Sequence, residues 1–147
     1  MSTVLERRTA TRRQQQPVAD VDVRRERGTA LRVLGAAAVL VVGAVHLEQY
    51  FGVHFRVVPV IGPLFLLNFI GSLVIAAGLL LPLRRLRALF ALGGIAIGVV
   101  SFVFLELSEH GGIFGFQDYG YRAAIVVALA AEAAAAVLLA TYLLRRR

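Results

Sequence analysis

Four long apolar stretches, residues 31–51, 60–81, 86–107 and 123–144, alternate with connections that hold most of the charge. A helix rises ~1.5 Å per residue, so about 20 residues cross a hydrocarbon core ~30 Å thick. Each stretch meets that length and predicts a transmembrane helix. The first is the weakest, because its uninterrupted apolar core, Val33–Val45, also suits the h-region of a signal peptide. The long polar region before it argues against cleavage, as do the poor small-x-small site at Gly43-Ala44-Val45 and the continuation through Leu47, Tyr50 and Phe51. It reads as a span with Arg32 snorkelling at one end and His46 near the other. Pro59 and Pro63 stand at the entry to the second stretch and Pro82 at its exit, places where a missing N–H is tolerated. The connection 83–87 has room only for a tight antiparallel hairpin. The expected fold is all-α: an integral membrane four-helix up-down bundle over residues 30–147.

Small residues mark the faces along which the spans should meet. Lipid tails are as apolar as leucine, so membrane helices associate through close backbone approach and polar contacts. Gly35, Val39, Gly43 and His46 share a face of the first span, and Asn68, Gly71, Ser72, Ile75 and Gly78 form a stripe on the second. Gly94 and Gly98 make a GxxxG continued by Ser101 on the third; Ala128, Glu132, Ala135 and Ala136 align on the fourth, with Tyr142 lower down.

Charge then orients the chain. All 16 basic residues are arginine, and the net charge is +7. Arg7, Arg8, Arg12, Arg13, Arg24, Arg25, Arg27 and Arg32 precede or open the first span. Arg84, Arg85 and Arg87 fall in the second connection, and Arg145, Arg146 and Arg147 at the carboxyl end. The first and third connections hold only Arg56 and Arg122. Cytoplasmic flanks carry the positive excess, so both termini are expected in the cytoplasm and the protein in a bacterial cytoplasmic membrane. Topology and anionic headgroups account for this charge; nucleic acid is not an expected partner. The expected partners are the bilayer, other membrane proteins or further copies of the chain. Residues 1–29, rich in Arg and Gln and poor in core formers, read as a solvated, disordered cytoplasmic tail.

Polar residues inside the spans narrow the candidate chemistry. Glu132 lies about ten residues into its span, near the midplane, where an ionised carboxylate costs on the order of 3 kcal/mol. It should be neutral or paired inside the bundle. Three roles are open: a polar clasp to Asn68 or another span, a ligand or proton-handling group, or a lipid-facing exception. Asn68 on its small-residue stripe suits an interhelical hydrogen bond or a ligand contact. His46, Glu48, Glu106, Glu109, His110 and Asp118 gather toward the extracytoplasmic ends. Spacings of three and four place Glu106, Glu109 and His110 on one helical face, and carboxylates with imidazole are acceptable metal ligands. No specific metal motif is matched, so that trio is a weak metal candidate beside ordinary boundary residues. The ligand or polar-network candidates are His46, Glu48, Asn68, Glu106, His110 and Glu132. Arg122 is expected to pair with Asp118 or a neighbouring carboxylate.

The outer connection, 108–121, interleaves Gly111, Gly112, Gly115 and Gly120 with Phe114, Phe116, Tyr119 and Tyr121. It reads as an interfacial anchor in the headgroup layer, or as a lid over a site. The chain has no cysteine, so disulfides and thiolate chemistry are excluded. It also has no nucleophile elbow, phosphate-cradling glycine loop, HExxH or CxxCH. No cofactor is expected, and a b-type cytochrome is disfavoured because no two histidines lie at matching depth in separate spans.

The runs His46-Leu-Glu-Gln-Tyr50, Ile61-Gly-Pro-Leu-Phe-Leu-Leu-Asn68 and Ile113-Phe-Gly-Phe116 resemble a group of small four-span membrane proteins of high-GC actinobacteria. That group has no assigned activity, and the resemblance implies only a multi-pass protein of the cytoplasmic membrane. The overall layout is also similar to the DoxX-like proteins, some of which are tied to quinone or thiol redox chemistry; the absence of cysteine counts against a thiol role.

Two functional expectations follow. One is a non-enzymatic accessory or scaffolding subunit, in which Glu132 and His46 serve stability alone. The other is a protein binding or moving a quinone, a lipid or a proton-coupled solute. Its outward pocket would be built from His46, Asn68, Glu106 and Glu132. The second requires a cavity that reaches Glu132.

Overall fold

The computed structural model describes residues 3–52, 54–117, 119–120 and 122–146, with side chains from residue 22 onward. Asp118 and Tyr121, which figured in the expectations for the outer loop and Arg122, lie outside the described residues. Four helices follow in order: α1 Thr3–Gly52, α2 Ile61–Leu80, α3 Arg87–His110 and α4 Ala123–Arg145, with a short 3₁₀ turn at Phe55–Val57 after α1. All four are long and apolar enough to cross a membrane, the qualifying part of α1 being Asp22–Gly52. The chain divides into two compact units, Met1–Ala30 and Leu31–Arg147.

In the first unit the described backbone is helical from Thr3. Ala, Arg, Gln and Glu are all good helix formers, so an Arg- and Gln-rich composition that cannot build a core can still form helix. The side chains of Asp22–Arg27 are exposed.

The second unit holds the packed spans. Its centre is Ala36 and Val39 of α1, Ala76 and Leu79 of α2, Ala91 of α3, and Ala135, Leu139 and Tyr142 of α4. These fall on the small-residue faces read from the sequence. A Cβ on Gly43 would lie 2.7 Å from Cβ of Ser72, and one on Gly35 would lie 2.5 Å from Cδ2 of Leu139. On α3, a Cβ at Gly94 would meet Leu139 at 2.5 Å and Val39 at 3.1 Å, while one at Gly98 would lie 3.3 Å from the Glu132 carbonyl. The GxxxG therefore seats α4. The outward faces carry Leu67, Val74, Val99, Val103 and Val137, all exposed, as lipid contact requires.

Arg32 does more than reach for headgroups. Its Nη1 donates to the Leu79 carbonyl at 2.6 Å. Leu79 is among the last four residues of α2, whose carbonyls have no partner within the helix, so a cation there caps the negative end of the helix dipole.

The link from α1 to α2 is tightly wound. His54 (φ 65°) and Val60 (φ 67°) bracket the 3₁₀ turn in conformations that non-glycine residues seldom adopt. Gly62, two residues beyond the second of them, sits against the turn's backbone: a Cβ there would come within 2.7 Å of the Phe55 carbonyl and 3.1 Å of Cα of Arg56. Neither atom can swing aside. Gly62→Ala is expected to destabilise by about 1–3 kcal/mol, read as a lowered Tm in detergent. Gly28→Ala, with nothing within 4 Å of the added carbon, should leave Tm unchanged or slightly raised.

Candidate functional site: a cavity lined by Glu132

Inside the second unit lies a cavity of about 530 Å³, walled by all four helices, the 3₁₀ turn and the outer loop. Its apolar wall includes Val45, Phe65, Ile75, Ile97, Phe104 and Ile125. Glycines create some of the space: Gly71 and Gly93 face each other's helices across Ile97 and Ile75 and line the cavity without filling it.

The exposure of the wall residues locates the mouth. Those contributed by α1, α4, the 3₁₀ turn and the loop are buried or half-buried. The exposed ones are Leu67, at 64%, on α2, and Ala96, Val100 and Phe104 on α3. The opening therefore lies on the seam between α2 and α3, within the membrane-spanning lengths of both helices.

The outer end is stoppered by aromatic rings. Phe55, buried, lies 5.1 Å from Phe65 with the rings tilted at 45° and meets Phe116 edge-on at 5.3 Å; Phe65 in turn lies 5.0 Å from the His46 ring. The Arg122 guanidinium lies 5.5 Å over the Phe55 ring, a cation–π distance. Phe116 is held by a tight hairpin: Ile113 and Phe116 exchange backbone hydrogen bonds of 2.7 and 2.8 Å around Phe114 and Gly115, both at positive φ. Two left-handed central residues make a type I′ turn, which is why a glycine stands at the second. The Gly120 N–H donates to Oε2 of Glu109 at 3.0 Å, tying the far side of the loop back to α3. Of the two readings for the outer connection, the geometry matches the lid: Ile113 and Phe116 line the cavity, while Phe114 and Tyr119 point outward.

Three of the candidate residues line this cavity: His46, Asn68 and Glu132. Asn68 is already engaged, donating from Nδ2 to Ser101 Oγ at 2.7 Å and accepting from Ser72 Oγ at 3.4 Å. The clasp between Asn68 and Glu132 does not form; Asn68 bridges α2 to α3 instead. Glu132 is 6% exposed, and no hydrogen bond or ion pair joins it to any described residue. His46 donates from Nδ1 to the Val42 carbonyl at 2.8 Å, because a carbonyl can only accept, and this leaves Nε2 an acceptor in the neutral ring.

The remaining candidates lie elsewhere. Glu48 is exposed and accepts from Nε2 of Gln49. His110, exposed, lies 3.6 Å from Oε2 of Glu106 and donates from Nδ1 to its carbonyl at 3.0 Å. Glu109 is turned to the loop backbone. Among the described residues, no three His, Cys, Asp or Glu side chains come together as a metal site would require. Glu106 and His110, expected in the pocket or on a metal, do not line the cavity.

Sequence reasoning passed over Gln49, Phe55 and Phe65. Gln49 is 5% exposed, lines the cavity, and has an Oε1 with no hydrogen-bond partner. Its signal was its place one turn beyond His46 on the inward face of α1. No protein-family model, curated protein or solved structure matches this chain.

Proposed function

We propose that this protein binds a lipophilic small molecule that enters sideways from the bilayer. The observation that carries the reading is the cavity itself: about 530 Å³, opening between two membrane-spanning helices, with the unpaired Glu132 in its wall. That volume lies within the range of small-molecule sites, ~300–1,000 Å³, and an apolar wall with a few polar groups is the usual composition of such sites. A mouth on the seam between α2 and α3, both long and apolar enough to cross a bilayer, favours an occupant that partitions into lipid. The aromatic stopper favours the same path by blocking the outer end. A carboxyl held at this depth without a protein partner is expensive to keep in a scaffold. A ligand that contacts it supplies the reason.

The reading takes the chain as an up-down-up-down bundle in a bacterial cytoplasmic membrane with both termini inside. Reverse-order pairings support it. Gly43 meets Ser72 while Arg32 meets Leu79; Asn68 meets Ser101 while Gly78 meets Phe90; Gly94 meets Leu139 while Gly98 meets Glu132. The arginine distribution supports the orientation, which puts the cavity in the outer half of the bilayer.

Native mass spectrometry of the protein, released from nanodiscs of defined phospholipid, tests the proposal. We expect a species carrying one lipophilic molecule of a few hundred daltons that survives the activation that strips surface phospholipid. Only bare protein under those conditions would contradict it.

A further inference from the structure

We infer that the turn between α2 and α3 holds one anionic phospholipid, its phosphate on Arg84 and Arg85 and its acyl chains beside Leu83, Leu86 and Leu89. The turn contributes nothing to the cavity wall, so the inference stands apart from the cavity and its ligand. Charge makes the first argument. The second unit has no Asp or Glu before Glu48, between Glu48 and Glu106, or after Glu132. The arginines gathered where α2 stops and α3 starts therefore have no acidic side chain of their own unit beside them.

Several arginines at this end of the bundle are already placed. Arg32 caps α2 through the Leu79 carbonyl. Arg145 lies in the last turn of α4, against the negative end of its dipole, and Arg146 stands 5.5 Å over the Tyr142 ring. Arg84 and Arg85 differ. Both are exposed, and no hydrogen bond or ion pair joins their side chains to any described residue. They precede α3, which begins at Arg87 with no side-chain cap and no acidic residue in its first turn. Three cations thus crowd the positive end of a helix dipole. An anion relieves that repulsion, and guanidinium groups match the oxygens of a phosphate two at a time.

Apolar exposure decides where the phosphate comes from. The turn reads Leu81-Pro82-Leu83-Arg84-Arg85-Leu86-Arg87, and Leu83 is 40% exposed, Leu86 45% and Leu89 63%. A free phosphate would leave these leucines uncovered. At the boundary between headgroups and acyl chains they meet hydrocarbon, while the arginines snorkel to the phosphate layer. A phospholipid satisfies both halves. With no carboxylate at this end to answer a choline or ethanolamine cation, the favoured lipid carries a net negative charge.

Native mass spectrometry of the full chain in mild detergent is the test, with phosphatidylglycerol and phosphatidylcholine of identical acyl chains as the two probes. We expect the first phosphatidylglycerol to bind at least about tenfold more tightly than phosphatidylcholine. Arg84→Gln/Arg85→Gln should bring the two lipids within about threefold of each other and leave Tm unchanged, since both side chains are exposed and unpaired. Arg24→Gln/Arg25→Gln removes the same charge from exposed positions of α1 and should keep the preference. Excess glycerol 3-phosphate should not displace the bound lipid. Equal affinity of the unaltered chain for both lipids would overturn the inference. So would an equal loss of preference in the two double variants, which would mean diffuse attraction without a site. Displacement by glycerol 3-phosphate would overturn the lipid assignment in favour of a free phosphate.

Discussion

Ala128→Phe is expected to lower ligand affinity at least tenfold while Tm holds or rises. Ala128 is buried on α4 one turn from Glu132, and its side chain lines the cavity. A phenyl ring there enters space that is already present, so the ~1–3 kcal/mol penalty of forcing volume into a packed core does not arise. A tenfold loss corresponds to ~1.4 kcal/mol of binding, well within what an occupied site forfeits. Binding in nanodiscs and thermal unfolding in detergent, measured on one preparation, separate the two effects. Unchanged affinity with an intact fold would mean that the ligand sits elsewhere.

Gly98→Leu should do the opposite and damage the fold first. Only hydrogen separates Gly98 from α4: a Cβ there would lie 3.3 Å from the Glu132 carbonyl and 3.6 Å from its Cα, atoms of a helix backbone that cannot rotate away. A leucine must pry α3 from α4 at the level of the cavity floor. Membrane helices adhere through such close approaches, with little hydrophobic expulsion to compensate for their loss. We expect a destabilisation of about 3 kcal/mol, seen as a large drop in Tm and loss of the monodisperse species in mild detergent. Gly94→Ala is gentler, because the group it meets at 2.5 Å is the movable end of Leu139.

These two glycines show how far the sequence could be read. GxxxG at Gly94 and Gly98 marks a close contact, and the contact exists; the motif does not say that α4 is the partner. The inward stripes were legible because period 3.6 sorts small from large residues on each helix independently. What joins across stripes depends on axial register, which no single helix encodes. Asn68 and Glu132 both face inward, but the packing of Gly78 on Phe90 and Gly71 on Ile97 sets Asn68 level with Ser101. Glu132 is left alone as a result. Register likewise sends Arg32 to a carbonyl 47 residues away. The outer loop was ambiguous for another reason: glycine and aromatic residues suit both an interfacial anchor and a lid. The choice turned on the I′ turn at Phe114-Gly115, which aims Phe116 inward at Phe55.

Photolabelling with a diazirine-bearing fatty alcohol in nanodiscs, mapped by peptide mass spectrometry, tests the central claim most directly. Residues of α1 and α4 that line the cavity, such as Val45, Ala128 and Glu132, are buried or half-buried and out of reach of bulk lipid. If a membrane-borne molecule enters between α2 and α3, these positions are labelled, and unlabelled 1-decanol or the Ala128→Phe change suppresses that labelling. Label confined to outward residues such as Val74 and Val137, with none on the inner faces of α1 and α4, would contradict the account.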